Sequence, residues 1–172
     1  MSAPRIETER LALRGFIRDD LAAMTVFYAD EDNTRFIGGV MPDHRVYALV
    51  SAFVGHWELN GLGWWAVEEK ATGTLVGYCG YNNPPDWPDR EIGWSIFPEY
   101  QGRGYAPEAA IAARAEIFRI GGPMKLVSYI DPQNAASRRV AEKLGAVHES
   151  TIELRGGPAQ SWRHPQAEGH GA

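Results

Sequence analysis

The stretch EIGWSIFPEYQGRGYAPEAA, Glu91–Ala110, joins an apolar run to an alanine-rich run through two glycines. Glu91–Phe97 is apolar behind one leading acid and reads as a strand. Pro98 cannot donate to a ladder, so the strand stops there. The alanine-rich part begins a helix expected from about Ala106 to Ile120 and ended by Gly121, Gly122 and Pro123. Gly102 and Gly104 lead into its N-terminus. The first turn of a helix carries N–H groups without internal partners, and its dipole favours negative charge. Glycine lets an anion approach the main chain with no Cβ in the way. Pro107 suits the first helical position, where no N–H is needed. The parts assemble an anion cradle at the carboxyl end of a strand. The residues alone equally allow a plain turn that uses glycine for its angles. The Walker phosphate loop is absent, since no Gly-Lys is followed by Ser or Thr. The G-x-G-x-x-G pattern fails because its last position is Pro107.

Outward from this segment the chain alternates strands and helices. Arg10–Phe16 alternates and reads as an opening strand. Asp19 is expected to cap a helix starting at Asp20, and Asp43 to cap a second one. That second helix carries Val46, Leu49, Val50, Phe53 and Trp57 on one face. Arg35–Pro42, between the two, is a loop. Trp64–Glu69 and Thr74–Tyr81 read as a hairpin. Asn82–Asp89 holds three prolines and is a loop. Lys125–Ile130 is an apolar strand. A helix opens at Asn134 and ends before Gly145. Val147–Leu154 and Ala159–Pro165 flank Arg155–Pro158 as a final hairpin. The order is a mixed α/β layout. It implies one domain over residues 1–165, with Gln166–Ala172 expected as a disordered tail.

Composition bounds the function. At 172 residues and 44% hydrophobic content the chain can bury a sizeable core. The net charge of −5, with no run of Lys or Arg, argues against a nucleic-acid partner. No window holds the roughly 20 apolar residues of a membrane span, and the N-terminus has no signal-peptide core. The single cysteine, Cys79, forms no internal disulfide and sits among apolar and small residues, as a buried thiol does. A reducing, cytoplasmic location is the expectation.

Gln101-Gly102-Arg103-Gly104-Tyr105-Ala106 matches Q/R-x-x-G-x-G/A, and on this match the chain resembles the GNAT superfamily of N-acetyltransferases. Three ordered segments carry the resemblance over about Arg5 to Pro165. IETERLALRGF and EIGWSIFPEYQGRGYAPEA resemble the branch containing the ribosomal-protein N-terminal alanine acetyltransferases. NAASRRVAEKLGA resembles its N-x-x-S-x-x-x-x-x-K-L-G segment. The resemblance implies a mostly antiparallel, splayed sheet with helices on both faces. It implies acetyl-CoA as cosubstrate, no metal, and an amine acceptor that is a small molecule or a protein N-terminus. The expected assembly is a monomer or homodimer, with no nucleic acid and no membrane as partner.

The same resemblance assigns residues. The strands at Glu91–Phe97 and Lys125–Ile130 would splay, with Ser95, Ile96 and Phe97 as main-chain partners of pantetheine. As side chains, Ile96 and Phe97 are also core residues. Gln101, Gly102, Arg103, Gly104, Tyr105 and Ala106 would hold the diphosphate. Asn134 would bind pantetheine or an ordered water, and Ser137 would lie near the sulfur. Read from spacing alone, Asn134 is a helix cap and Ser137 a surface hydroxyl. No tyrosine stands at the place where many relatives carry a general acid.

The chemistry sets further demands. An alkylamine is largely protonated at neutral pH, with a pKa of about 10, and an α-amine lies near 8, so a proton must be removed. Glu91, matching a glutamate of that branch, is the expected base, acting through water. Glu68, Glu69 and His148 are weaker candidates. Cys79 lacks a neighbour that would activate it. Phe36 and Trp87 are candidates to line the acceptor pocket. A non-catalytic acyl-CoA sensor and an unrelated nucleotide-phosphate binder are the alternatives to an enzyme.

Overall fold

The computed structural model describes residues 2–166; of the expected tail, all but Gln166 lies outside the described residues. The strands are β1 (Ile6–Glu7), β2 (Leu11–Arg14), β3 (Trp64–Glu69), β4 (Thr74–Asn82), β5 (Arg90–Ile96), β6 (Leu126–Ile130), β7 (Val147–Leu154) and β8 (Gly157–Arg163). They form one sheet in the order β1-β2-β3-β4-β5-β6-β8-β7. Each neighbouring pair is antiparallel except β5 and β6, which are parallel. The helices are α1 (Asp20–Tyr28), α2 (Glu31–Thr34), α3 (Asp43–Asn60), α4 (Tyr105–Gly121) and α5 (Ala135–Lys143). The mixed α/β layout and the open, mostly antiparallel sheet agree with the sequence reading.

Alternation along the strands divides the interior between two faces. On one, α4 lays Ala109, Ala110, Ala113 and Ile117 against Leu11, Leu13, Trp65, Val67, Cys79 and Ile92. The small alanines let the helix axis approach the sheet closely. On the other, α1 and α3 place Met24, Phe27, Val46, Val50 and Phe53 over Ala66, Leu75, Tyr78 and Phe97. Val46, Val50, Phe53 and Trp57 recur at helical spacing and all are buried. Each such side chain contributes about 1.5–3 kcal/mol when buried. A smaller cluster, Ile130, Ala141 and Ala146 with Trp94 and Trp162, lies where α5 covers the C-terminal strands.

Several local expectations are corrected. Asp19 makes no side-chain cap. Instead the buried Asp20 carboxylate accepts from the Ile17 N–H and from both terminal nitrogens of Arg14. Pro42, not Asp43, is the capping position of α3, and it makes no side-chain bond. Helix α4 starts at Tyr105, so Pro107 is its third residue. Strand β1 and helix α2 were not anticipated, and β8 begins at Gly157 rather than Ala159. Among the described residues no helix is long and apolar enough to cross a membrane.

Candidate active site

Strand β5 ends at Ile96, and Phe97 and Pro98 turn the chain into a 3-10 turn, Pro98–Tyr100. The Gln101 side-chain amide donates to the Ile96 carbonyl at 2.8 Å and ties the following loop to the strand. Gly102 (φ 75°) and Gly104 (φ 81°) then adopt left-handed conformations that disfavour any Cβ. Among the described residues, the N–H groups from Gly102 to Ala106 have no acceptor within the protein. They remain available at the positive end of the α4 dipole.

The back of this loop is fixed by residues the motif does not contain. Pro107 has no N–H for the Arg103 carbonyl, which accepts instead from Arg10 Nη1 at 2.8 Å. Arg10 also pairs with Glu108 at 2.6 Å and lies over the Tyr105 ring at 4.8 Å. Thr8 donates to the other Glu108 oxygen at 2.6 Å. The Tyr105 ring is buried and its hydroxyl donates to Glu69, so that side chain is part of the framework. Arg103 folds back too, donating to the Glu99 carbonyl and stacking on Tyr100. Turning these groups inward leaves the loop's amides facing out.

Next to the cradle the sheet opens. Strands β5 and β6 pair only at Arg90 with Leu126 and at Glu91 with Val127. Just past that point the Ser128 hydroxyl donates to the Ile92 carbonyl at 2.6 Å. Beyond it the ladder stops, and the free edge of β5 borders a cleft of about 590 Å³. The cleft is lined by Trp94, Ser95 and Ile96 of β5, by Gln101, Gly102, Gly104, Tyr105 and Ala106, and by Asn134 and Ser137. Phe36, after α2, lines it as well, and Arg35 reaches across to Gln133 at 3.3 Å. Helix α5 adds Arg139 and Lys143, two cations that composition and motif had not singled out.

The pleat decides which main-chain groups of β5 face the cleft. The Phe97 N–H donates to the Val76 carbonyl at 2.9 Å, and its own carbonyl accepts from Tyr100. Ser95 lies opposite Tyr78. Ladder bonds of an antiparallel pair fall on every second residue. Phe97 and Ser95 therefore turn their main chains toward β4, and Trp94 and Ile96 turn theirs toward the cleft. This corrects the expectation for Ser95 and Phe97 and adds Trp94. Knowing which strand edge is shared requires the register, which no single strand carries.

Asn134 caps α5, its Oδ1 accepting from the Ser137 N–H at 3.0 Å. The side-chain amide N–H groups stay available, and the Ser137 hydroxyl has no partner among the described residues. Glu91 is not in the cleft wall. It sits at the closed end of the fork, on the α1 and α3 face, because Ile92 beside it packs under α4. Its Oε2 accepts from Trp87 Nε1 at 2.8 Å and from Asn82 Nδ2 at 3.1 Å. Burial raises its pKa above the usual carboxylate range, while those two donors pull the other way. Trp87 thus stands beside Glu91 rather than in the cleft.

The other candidate bases are committed elsewhere. Glu68 pairs with Arg14, and Glu69 accepts from Tyr105 and Thr72. His148 is exposed on β7. Cys79 is fully buried, and burial pushes its thiol pKa up, which removes it as a nucleophile at neutral pH.

A family model described as the acetyltransferase (GNAT) domain matches residues 10–147. The uncharacterized protein YkkB of Bacillus subtilis is 30% identical over 166 residues, 95% of this chain and 92% of that one. The crystal structure of an acetyltransferase from Agrobacterium tumefaciens superposes with a TM-score of 0.88 at 31% identity, covering 96% of each chain. A ribosomal-protein-S5-alanine acetyltransferase from Vibrio fischeri shares the fold at 17% identity, with a TM-score of 0.75 over 99% of this chain and 100% of that one.

Proposed function

The chain belongs to the GNAT acetyltransferase family, and on that premise we propose that it moves an acetyl group from acetyl-CoA to a primary amine by direct attack in a ternary complex. Acetyl-CoA-dependent acetyl transfer is the reaction of the family; the acceptor and the residue roles are our assignment. The observation that carries it is the fork itself. Two strands part after Glu91 and Val127, and a row of free amides from Gly102 to Ala106 stands at the mouth of the gap.

The residues fit acetyl-CoA. The amides between Gly102 and Ala106 would hold its diphosphate, with Arg139 and Lys143 adding positive charge. The N–H groups of Trp94 and Ile96, and the Asn134 amide, would bond the pantetheine arm. Bound there, the coenzyme supplies an activated acetyl group as a thioester. The amine forms the new C–N bond as the C–S bond breaks. A β5 N–H stabilises charge on the carbonyl oxygen. Glu91 receives the amine's proton through water, and the Ser137 hydroxyl donates to the departing sulfur. Phe36, which lines the same cleft, would border the acceptor, and Trp87 would orient Glu91. We read residues 1–165 as one acetyltransferase domain working in the cytoplasm.

A turnover assay tests the reading. Acetyl-CoA is incubated with small amines, free amino acids and peptides of varied N-terminus, and release of free thiol is followed. Thiol release that requires an amine, together with an acetylated product by mass, is expected. Tight coenzyme binding with no release for any acceptor would replace the enzyme by a sensor.

A further inference from the structure

The turn between β7 and β8 consists of Arg155 and Gly156, at φ 54° and φ 80°. Both central residues at positive φ is the type I′ pattern, which favours Asn-Gly or Gly-Gly. Arg155 is the one non-glycine residue at positive φ among the described residues. Its conformation is disfavoured, and a residue kept in such a place points to a use for its side chain.

That side chain does not hang free in solvent. The Arg155 guanidinium lies 4.4 Å over the Trp87 ring. Trp87 in turn donates its indole N–H to Glu91 at 2.8 Å, and its ring meets Tyr129 edge-on at 6.3 Å. One half-buried indole therefore carries a cation on its face and an anion at its edge. The loop Asn83–Asp89 is fastened from its far side as well, by the Asp89 carboxylate on Lys125 at 2.9 Å. Arg155 is exposed and makes no ion pair within 4 Å among the described residues, although its charge acts on the Glu91 carboxylate beyond the indole. Arginine presents its N–H donors as a planar fork suited to a carboxylate.

We infer that the acceptor is a small amine bearing a carboxylate next to its amino group, a free α-amino acid in form, and that Arg155 is the residue that reads the carboxylate. The inference rests on the preceding reading, in which Glu91 receives the amine's proton. Opposite charges placed around one aromatic ring complement a zwitterion. A peptide N-terminus offers a neutral amide where a free amino acid offers a second charge.

The test compares kcat/KM for neutral-side-chain amino acids, their amides and their dipeptides at saturating acetyl-CoA. Free acids should exceed the matching amides by at least tenfold. Arg155→Asn should raise KM for the free acids by at least tenfold and abolish their advantage over amides, with KM for acetyl-CoA unmoved. Asparagine tolerates positive φ, so this variant should melt no lower than the native protein. Arg155→Lys should restore part of the preference. Amides or dipeptides that match the free acids in the native protein overturn the inference alone, as does a preference that survives Arg155→Asn. Absence of turnover with every amine overturns the acetyl-transfer reading and this one with it.

Discussion

Glu91 is the base proposed for the transfer. Burial raises its proton affinity, and two side-chain donors keep its anion oriented. A carboxylate with a raised pKa is a stronger base, which suits a group that must accept a proton from an amine. Replacing Glu91 by Gln should lower kcat/KM by about 10²–10⁴-fold near neutral pH, the usual contribution of a positioned base. The deficit should shrink as pH rises toward the acceptor's own pKa, where the amine loses its proton unaided. Parallel pH–rate profiles for the two proteins would remove Glu91 from this role. Glu91 stood out in the sequence through its match to a glutamate of the resembling branch, at the head of a strand. Its partners Trp87 and Asn82 came from a loop and a strand end whose meeting only the tertiary fold decides. Arg155 had no sequence signal beyond an unusual residue in a glycine-rich turn.

At the scale of elements, the cradle is a helix start held from behind. Its glycines were readable as a turn into an alanine-rich helix, and only the match of Gln101–Ala106 to the acyl-CoA motif favoured a cradle over a plain turn. The clamp of Thr8, Arg10 and Glu108 was not, since it joins residues nearly one hundred positions apart. Strand β1 and helix α2 were missed for a related reason: two and four residues are too few to show a period. The caps were misplaced locally: Asp19 makes no capping bond while its neighbour Asp20 pairs with Arg14, and the capping position of α3 falls on Pro42 instead of Asp43. The cradle yields a controlled prediction. Gly104→Ala places a Cβ at φ 81° and 3.4 Å from Arg10 Nη2, so it strains the loop from behind, shifts its amides and costs about 1–2 kcal/mol of stability. Gly61→Ala at the end of α3 suffers the same strain, at φ 67°, outside the lining of the cleft. Both should melt lower by similar amounts. Titration calorimetry should find coenzyme A binding weakened at least tenfold by the first and unaltered by the second. Equal affinities for the two variants would mean that the amides near Gly104 do not hold the diphosphate.

For the whole molecule, the fork is also a seam. Strands β1 to β5 come from the chain before Gly122, and β6, β8 and β7 from the chain after it. Where the ladder stops, side chains take over. Ser128 bonds both Ile92 and His164 Nε2, and the His164 N–H donates to Leu126. His164 is buried, and burial together with the Arg114 charge lowers its pKa to about 3. Above the unfolded value of about 6.5 both states are neutral, and the stability is fully present. As pH falls below 6.5 the unfolded chain binds a proton that the folded chain refuses. Stability should decline by up to about 1.4 kcal/mol per pH unit until about pH 3. Thermal melts between pH 7 and 4 should show this slope for the native protein and a shallower one for His164→Gln. Identical slopes would show that His164 is not what couples this seam to pH.

The single crossing of the seam has a practical consequence. The chain passes from one leaf of the sheet to the other once, through Gly122 and Pro123 after α4. Severed there and co-expressed, the two fragments keep their own strand neighbours and lack only a covalent tether. A coenzyme that grips α4 with its phosphates and touches α5 with its arm would act as the missing splice, making reassembly of the halves a reporter of acyl-CoA.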